Sequence, residues 1–544
     1  MIIIRQKLLN IILGYPTIYF IGDYMSELID KTKSICPVCL TVINADIVEE
    51  KGKVLIKKSC PEHGDFQDIY WSDYEMFKKV KKFHVDGSKL DNPNTEVKKG
   101  CPHDCGLCAD HFTPTVLCNI DVTNRCNMKC PICFANAQTA GYVLEPSKEE
   151  LIEMMKLVRN EKPVPCMVVQ FAGGEPTIRD DLPEIVQEAK KLGFTLAQIA
   201  TNGVRLAKDL DFCKELRQKG LNTVYLQFDG INEKPYIAAR GFNALPIKLQ
   251  AMENFRKASL TSVVLVPTLV RGINDDQVSD LIQFGVKNID IIRGINFQPV
   301  SFSGRIDKED LEKMRITIPD FVKLVEEQTN GEILAEDFYS APSVNAFSNF
   351  IEAWRKTPQV KFTCHEHCGV ATYVFIDDNG GITPITHFID VDGFFGLLND
   401  LTEKVENGGK ITKARAITKI TRELPHLIDL KRKPKNLDIK KLLLGVLKEG
   451  DVDTLAEFSY HTLLIGCMHF QDPYNFDVER VKRCAIHYAV PGGKVIPFCT
   501  YNSLHRERIE KQYAIPLDVW EKQHKDKKLQ AQRNLKSLSF PSKN

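Results

Sequence analysis

At 544 residues the chain is too long for one ordinary domain and implies two or three. Lys+Arg 72 against Asp+Glu 71 leaves a formal charge of +1, which argues against the basic surface that nucleic acid or another polyanion requires. Hydrophobic content of 43% with 26% charged residues is that of a folded, water-facing protein, but 17 cysteines is an unusual number.

Residues 1–30 are apolar yet carry Arg5, Lys7, Pro16 and Asp23, so no stretch reaches the ~18–20 apolar residues of a spanning helix. They read as a membrane-surface anchor, a docking segment, or an upstream start before Met25, the last slightly favoured. No signal peptide with a plausible cleavage site is found, and the cysteines stand in C-x2-C and C-x3-C groups. That pattern suits metals in a reducing cytoplasm better than disulfides.

Residues 31–85 pair "CPVC" (Cys36, Cys39) with "CPEHG" (Cys60, His63). Two ligand turns joined by a hairpin predict a rubredoxin-like or zinc-ribbon-like knuckle holding one iron or zinc, with Cys60 a firmer ligand than His63. Residues 86–114 and the next strand bring "CPHDCGLC" and "TVLC", offering Cys101, Cys105, Cys108 and Cys118. A second [4Fe–4S] cluster is the favoured reading and a zinc site the other, with His103 and His111 as substitute ligands.

From 115 to 335 strand-like runs such as "TVLCNIDVT", "PCMVVQFAGG" and "NTVYLQFDG" alternate with helical patterns. Ser147 and Glu150 mark one helix start as a capping box. Six β/α units predict an α/β fold with a parallel sheet and helices outside, either an open barrel or a doubly wound sheet, with chemistry at the strand carboxyl ends. "TNRCNMKCPICFANA" follows the first strand with Cys126, Cys130 and Cys133. Three thiolates on one loop can hold three irons of a [4Fe–4S] cube and leave the fourth open; the alternative is a zinc knuckle completed by a remote cysteine. "FAGGEP" ends the second strand with Gly173, Gly174 and Glu175, where backbone can approach a ligand and a carboxylate can accept from an ammonium. Asn202, Gln227, Asp229 and Gln298 fall at later strand ends, as ligand contacts or as turn residues. Cys166 and Cys213 read as core thiols.

Residues 336–510 hold a second cysteine group interrupted by a lysine-rich interval, and 511–544 form a polar tail. Five thiols, Cys364, Cys368, Cys467, Cys484 and Cys499, exceed the need of one cube. Cys467, Cys484 and Cys499 are the expected ligands, with Cys368 or Cys364 as the fourth.

The C-x3-C-x2-C loop and the Gly-Gly-Glu motif one unit later resemble the radical S-adenosylmethionine (SAM) superfamily, whose core is a partial (β/α)6 TIM-type barrel. The resemblance implies that SAM occupies the open iron, that Gly173, Gly174 and Glu175 receive its amino group, and that its one-electron cleavage yields a hydrogen-abstracting 5′-deoxyadenosyl radical. The residue before the third cysteine, usually an aromatic that seats adenine, is Ile132, and Phe134 follows. "HCGVATYVFIDDNGG" resembles the opening of the auxiliary-cluster domain of radical SAM maturases, with Thr386 near the place of an expected cysteine.

The order of motifs over about residues 31–510 looks like the archaeal tetraether lipid synthase group. That implies coupling of terminal methyl carbons of isoprenoid chains in an archaeal diether lipid, giving tetraethers or macrocyclic diethers, with a ferredoxin or flavodoxin-type electron donor. "DGFFGLL" and "AFSNFIEAW" could line a lipid channel, though such runs are more often core. "DLKRKPKNLDIKK" could meet phosphate headgroups at the membrane surface. The competing enzyme reading is a radical SAM C-methylase of a pterin-type cofactor precursor, which needs a compact polar pocket. A non-enzymatic electron-transfer protein is a third reading, against which the Gly-Gly-Glu motif stands.

Overall fold

The computed structural model describes residues 18–20, 25–137, 140–309, 311–377, 379–434 and 462–524. The end of the lysine-rich run, from 435, lies outside these residues. Five antiparallel strands come first, paired in chain order: β1 (Ile18–Phe20), β2 (Met25–Ile35), β3 (Val42–Glu50), β4 (Lys53–Cys60) and β5 (Gly64–Trp71). There follow β6 (Leu117–Thr123), the short β7 (Tyr142–Val143), β8 (Val168–Gly173), β9 (Leu196–Thr201), β10 (Thr223–Gln227), β11 (Val263–Val266), β12 (Thr268–Leu269) and β13 (Ile292–Pro299). Then come β14 (Tyr339–Ser340), β15 (Gly369–Ile376), β16 (Ile382–Pro384), β17 (Thr462–Met468), β18 (Ile486–Val490), β19 (Lys494–Pro497) and β20 (Ile515–Pro516).

Strands β17, β13, β11, β10, β9, β8, β6 and β18 lie side by side in that order, all parallel. Helices such as Lys148–Arg159, Leu182–Lys191 and Val278–Lys287 fill the crossovers, as parallel pairing demands. The first of them opens on the expected capping box: Ser147 Oγ accepts from the Glu150 amide at 3.2 Å, and Glu150 accepts from the Ser147 amide at 2.7 Å.

The sheet is strongly curled. β6 and β13 stand five places apart, about 24 Å if flat. Yet the loop after β6 bonds directly to the loop after β13, with Cys133 and Arg305 exchanging two backbone hydrogen bonds of 2.9 Å. Residues 336–510, expected as a separate C-terminal domain, instead supply β17 and β18 to opposite flanks of this same sheet. The apolar runs expected along a lipid channel have another use. Phe350, Ile351 and Ala353 pack against Leu397, Leu398, Leu401 and Val405 as the core between helices Asn345–Arg355 and Val391–Glu406.

The N-terminal sheet is keyed into the loop between β17 and β18. Lys58 Nζ donates to the Pro473 carbonyl at 2.7 Å, and Tyr70 Oη donates to Asp477 at 2.7 Å. Arg315, 1% exposed, bridges Asp68 of β5 and Asp472 of that loop. Its guanidinium is what permits two carboxylates in one buried place. Arg315→Leu is expected to cost roughly 3–5 kcal/mol, read as a lowered thermal unfolding midpoint with the N-terminal sheet released first to proteolysis.

Candidate functional site

The loop after β6 carries three thiols. Cys126 is buried, Cys130 and Cys133 are half-buried, and all three belong to one small cluster with Met128, Ala137, Val204 and Ile247. Burial pushes the Cys126 and Cys130 thiols up, and the neighbouring thiols add to it, while Arg240 and Lys248 partly offset the rise at Cys130. The loop is fastened at several backbone points. Arg305 Nε donates to the Cys130 carbonyl at 2.7 Å. Arg240 NH1 donates to the Ile132 carbonyl at 3.0 Å. Asn202 Nδ2 donates to Asn127 at 2.7 Å and lies 4.0 Å from Cys126 Sγ.

The Gly173–Gly174 turn after β8 lies against this loop. A Cβ on Gly173 would come within 2.1 Å of the Thr123 carbonyl oxygen, and one on Gly174 within 2.1 Å of the Arg125 carbonyl oxygen. Only glycine permits that approach, and Gly173 also holds φ of +125°. Glu175 behaves otherwise than the motif suggests. It is 1% exposed, and its carboxylate accepts from the Thr177 amide, the Thr177 and Thr201 hydroxyls and the Asn202 amide. It braces the turn, while the half-buried Gly173 and Gly174 are what the motif presents.

The later strand ends divide between bracing and access. Asp229 is fully buried and takes a bidentate grip from Arg240, 2.8 and 2.7 Å, so it acts on the cysteine loop through that arginine. Gln227 meets Asp229 and accepts from Lys248 Nζ at 3.0 Å. Lys248, whose pKa burial lowers to about 8, also donates to the Asn202 carbonyl at 2.5 Å. Gln298 is half-buried beside β12. Ile132 packs with Val270, Val300 and Phe302, while Phe134 is 40% exposed with its ring 5.7 Å from that of Phe498.

The knuckle residues converge as expected. Cys39 Sγ lies 3.9 Å from Cys60 Sγ, and His63 Nδ1 lies 3.5 Å from Cys60 and 3.8 Å from Cys36. Tetrahedral bonds of about 2.3 Å to sulfur and 2.0 Å to nitrogen give ligand edges of about 3.5–3.8 Å, so a single ion fits without rearrangement. Hydrogen bonding to Thr41 already brings the Cys39 thiol down to about 6.

The other thiols are grouped differently from the sequence expectation. Cys101, Cys105 and Cys108 stand together: hydrogen bonding to Cys101 and burial raise the Cys105 thiol, and burial with Cys101 nearby raises that of Cys108. Cys118 is not with them. It shares the outward face of β6 with Ile120 and Val122, in the main core beside Cys166. His111 is not a substitute ligand, since it is spent on the Cys484 carbonyl and His487. Likewise Cys368 and Cys484 neighbour each other and both Cys364 and Cys499. Cys467 is excluded from that group because it shares the outward face of β17 with Leu463 and Ile465. Thr386 is hydrogen-bonded to Asp337. Cys166 and Cys213 are buried core thiols.

Residues 120–285 match the model of the radical SAM superfamily, and residues 28–72 that of the HMPTM N-terminal zinc ribbon domain. A 7,8-dihydro-6-hydroxymethylpterin dimethyltransferase of Methanocaldococcus jannaschii is 54% identical over 91% of this chain and 97% of its own. The chain is a radical SAM protein of that dimethyltransferase's family. A GTP 3′,8-cyclase of Clostridium acetobutylicum is 28% identical over 37% of this chain and 61% of its own. The solved structure of Streptococcus suis SuiB bound to precursor peptide SuiA overlaps 41% of this chain and 47% of its own, at 17% identity and a TM-score of 0.34.

Radical SAM proteins use SAM and a [4Fe–4S] cluster, and the donor set fits them: three convergent thiols, a loop pinned through its carbonyls, and a glycine cradle against it. When bound, the cluster supplies the electron that cleaves SAM. The tetraether lipid reading is overturned, and with it the diether lipid substrate. The chain shares 54% identity with a pterin dimethyltransferase, and its apolar runs are spent on helix packing. No helix among the described residues is long and apolar enough to cross a membrane.

Sequence reasoning missed Arg240, Arg305 and Lys248. Arg240 ends helix Glu233–Arg240, where a cation ordinarily complements the helix dipole at the surface. Arg240→Lys keeps the charge but cannot grip Asp229 with two donors while reaching the Ile132 carbonyl. It is expected to lower reductive SAM cleavage by about 10–100-fold, measured as 5′-deoxyadenosine formed per chain, with unfolding stability little changed.

Proposed function

We propose that this chain is a radical SAM C-methylase acting on a heterocycle of the dihydropterin class. The observation that carries the reading is the 54% identity that runs through 97% of a dimethyltransferase named for 7,8-dihydro-6-hydroxymethylpterin. In this reading the six curled β/α units form a partial barrel and the substrate occupies its inner face, below the cysteine loop.

That face has the polarity such a ring needs. Half-buried residues recur at every second place throughout β11 and in the later parts of β10 and β13, whereas a parallel sheet packed on both faces would be buried throughout. Deepest lies a carboxamide chain: Gln198 Nε2 donates to Gln170 at 2.6 Å, and Gln170 Nε2 donates to Asn119 at 2.7 Å. One step up are small residues, Ala172 paired with Asp121 and Ala200 with Tyr225. Ala200 remains half-buried in the middle of the sheet, which marks space in front of it. Asn296 and Gln298 of β13 and Tyr225 of β10 supply polar groups around that space.

Asp121 is the residue assigned to the ring. One of its oxygens accepts from Arg506 at 2.6 Å, while Oδ1 is buried with no partner. A 2-amino-4-oxopyrimidine presents two adjacent N–H groups, a match for a carboxylate. Cys364, Cys368, Cys484 and Cys499 are assigned to one auxiliary [4Fe–4S] cluster. Cys101, Cys105 and Cys108 are assigned to a second, with a non-thiol fourth ligand, and a ferredoxin or flavodoxin-type protein to electron supply.

The test is anaerobic incubation with SAM, a reductant and 7,8-dihydro-6-hydroxymethylpterin, followed by mass spectrometry. A product heavier by one or two CH2 units, formed together with 5′-deoxyadenosine, supports the reading. SAM cleavage without any methylated pterin refutes it.

A further inference from the structure

Between two cysteines of the C-terminal thiol group lies the run Cys364-His365-Glu366-His367-Cys368. Its three central side chains are buried, at 9%, 3% and 1% exposure, and none is used by the site already described. His365 Nδ1 lies 3.6 Å from Glu366 Oε2, and His367 Nδ1 lies 3.7 Å from Glu366 Oε1. All three ligand atoms fall within 4.8 Å of one another.

The hydrogen-bond pattern decides where the ring protons are. His367 Nε2 lies 3.2 Å from the Phe77 carbonyl, which only accepts, so that nitrogen carries the proton and Nδ1 a lone pair. His367 Nδ1 has no hydrogen-bond partner and is buried. The backbone N–H of His367 donates to His365 Nδ1 at 3.3 Å, so that nitrogen also carries a lone pair. His367 Nδ1 therefore turns an unused lone pair toward Glu366 Oε1, and His365 Nδ1 has its lone pair on the 3.3 Å contact from the His367 amide, which a metal bond would replace. Glu366 Oε2 is met by His84 Nδ1 at 3.0 Å, but His367 Nδ1 and Glu366 Oε1 face each other as acceptors, and the element that would satisfy both is a cation.

We propose that His365, Glu366 and His367 bind one divalent transition-metal cation of borderline softness, zinc or ferrous iron, apart from every thiol site. Two imidazoles and a carboxylate are a donor set for such ions, and open positions remain for water. Bonds of about 2.0–2.1 Å would set ligand edges near 3.3 Å, a contraction of a few tenths of an ångström for the two His–Glu edges. The outer shell is already built. The Phe77 carbonyl fixes the His367 tautomer, as carbonyls do for ligating histidines. Phe77 stacks on that ring at 4.0 Å and Trp71 meets it edge-on at 4.8 Å. His84, with a side chain 41% exposed, lies 3.0 Å from Glu366 Oε2 and orients the carboxylate. The ion would tie the helix Tyr74–Lys81 and its sequel to the turn that leads into β15.

The test uses the full chain with its clusters reconstituted anaerobically, and Zn2+ then Co2+ as probes. Wild type is expected to hold about one more tightly bound zinc than Glu366→Gln, while Cys60→Ser loses a different one and the two losses add. Cobalt at the Glu366-dependent site should show d–d bands without the thiolate charge-transfer band given by the knuckle. His84→Gln, at the surface, is expected to weaken zinc at this site by about 10–100-fold while leaving the cluster absorbance intact; it keeps the test open where Glu366→Gln fails to fold. Equal zinc content in wild type and Glu366→Gln, unchanged zinc affinity in His84→Gln, or a thiolate band from this cobalt would each overturn the assignment.

Discussion

Cys499→Ala is expected to lose about four irons per chain and all methylated product, whereas Cys467→Ala keeps its iron and its turnover. The two residues are indistinguishable by spacing, but their strands treat them differently. Cys467 sits within β17 on the face that packs into the core, between Leu463 and Ile465 and the helices outside. Its removal leaves a small cavity, of order 1 kcal/mol. Cys499 follows β19, where its sulfur accepts from the Gln471 amide at 3.3 Å and neighbours Cys484 and Cys368. Burial raises the thiols of Cys364, Cys484 and Cys499, and Arg480, 1% exposed, is the cation beside Cys368 and Cys499. Four such sulfurs can be ionised together only around a metal. Iron and sulfide analysis of the two variants checks this. Equal iron loss in both would show that Cys467 is the ligand after all.

What could be read from sequence followed the periodicities that carry it. Six β/α units, the capped helix at Ser147 and the position of Cys126, Cys130 and Cys133 were legible because they depend on local order. The thiol groupings were not, because spacing says which cysteines are near in the chain but not which face of a strand each occupies. For Cys118 the signal existed. It falls in step with Ile120 and Val122, the outward set of β6, while Asn119, Asp121 and Thr123 fall on the other. The same alternation in β6 and at the end of β13, with Asn119, Asp121 and Thr123 in the one and Asn296 and Gln298 in the other, gives those strands a polar inner side that speaks against a lipid. Phe394, Phe395 and Leu397 drew attention away from it, since an apolar run looks alike whether it lines a channel or joins two helices. Arg240, Arg305 and Lys248 gave no sign at all. Each is a cation at a position where a solvated side chain is the ordinary outcome, and only the closed loop turns its donors inward.

Asp121→Asn is expected to weaken dihydropterin binding by about 10–100-fold, the loss of a charged hydrogen-bond acceptor worth roughly 1.5–3 kcal/mol. The substitution conserves volume and leaves one oxygen to accept from Arg506, which also keeps its partners Glu510, at 2.8 Å, and Asn502, at 2.9 Å. Folding should therefore survive, and SAM cleavage without substrate should persist, since the residues pinning the cysteine loop are untouched. The decisive comparison is between a pterin and its 2-oxo counterpart, a lumazine, which lacks the exocyclic amine. Wild type should prefer the pterin because Asp121 Oδ1 has a donor to meet. Asp121→Asn presents an amide there, and the preference should shrink toward unity even as both ligands bind more weakly. A purely structural role for the Asp121–Arg506 pair would lower stability and weaken both ligands alike, with their ratio unchanged. Isothermal titration of the two ligands against both proteins separates these outcomes, and an unaltered ratio removes Asp121 from the substrate.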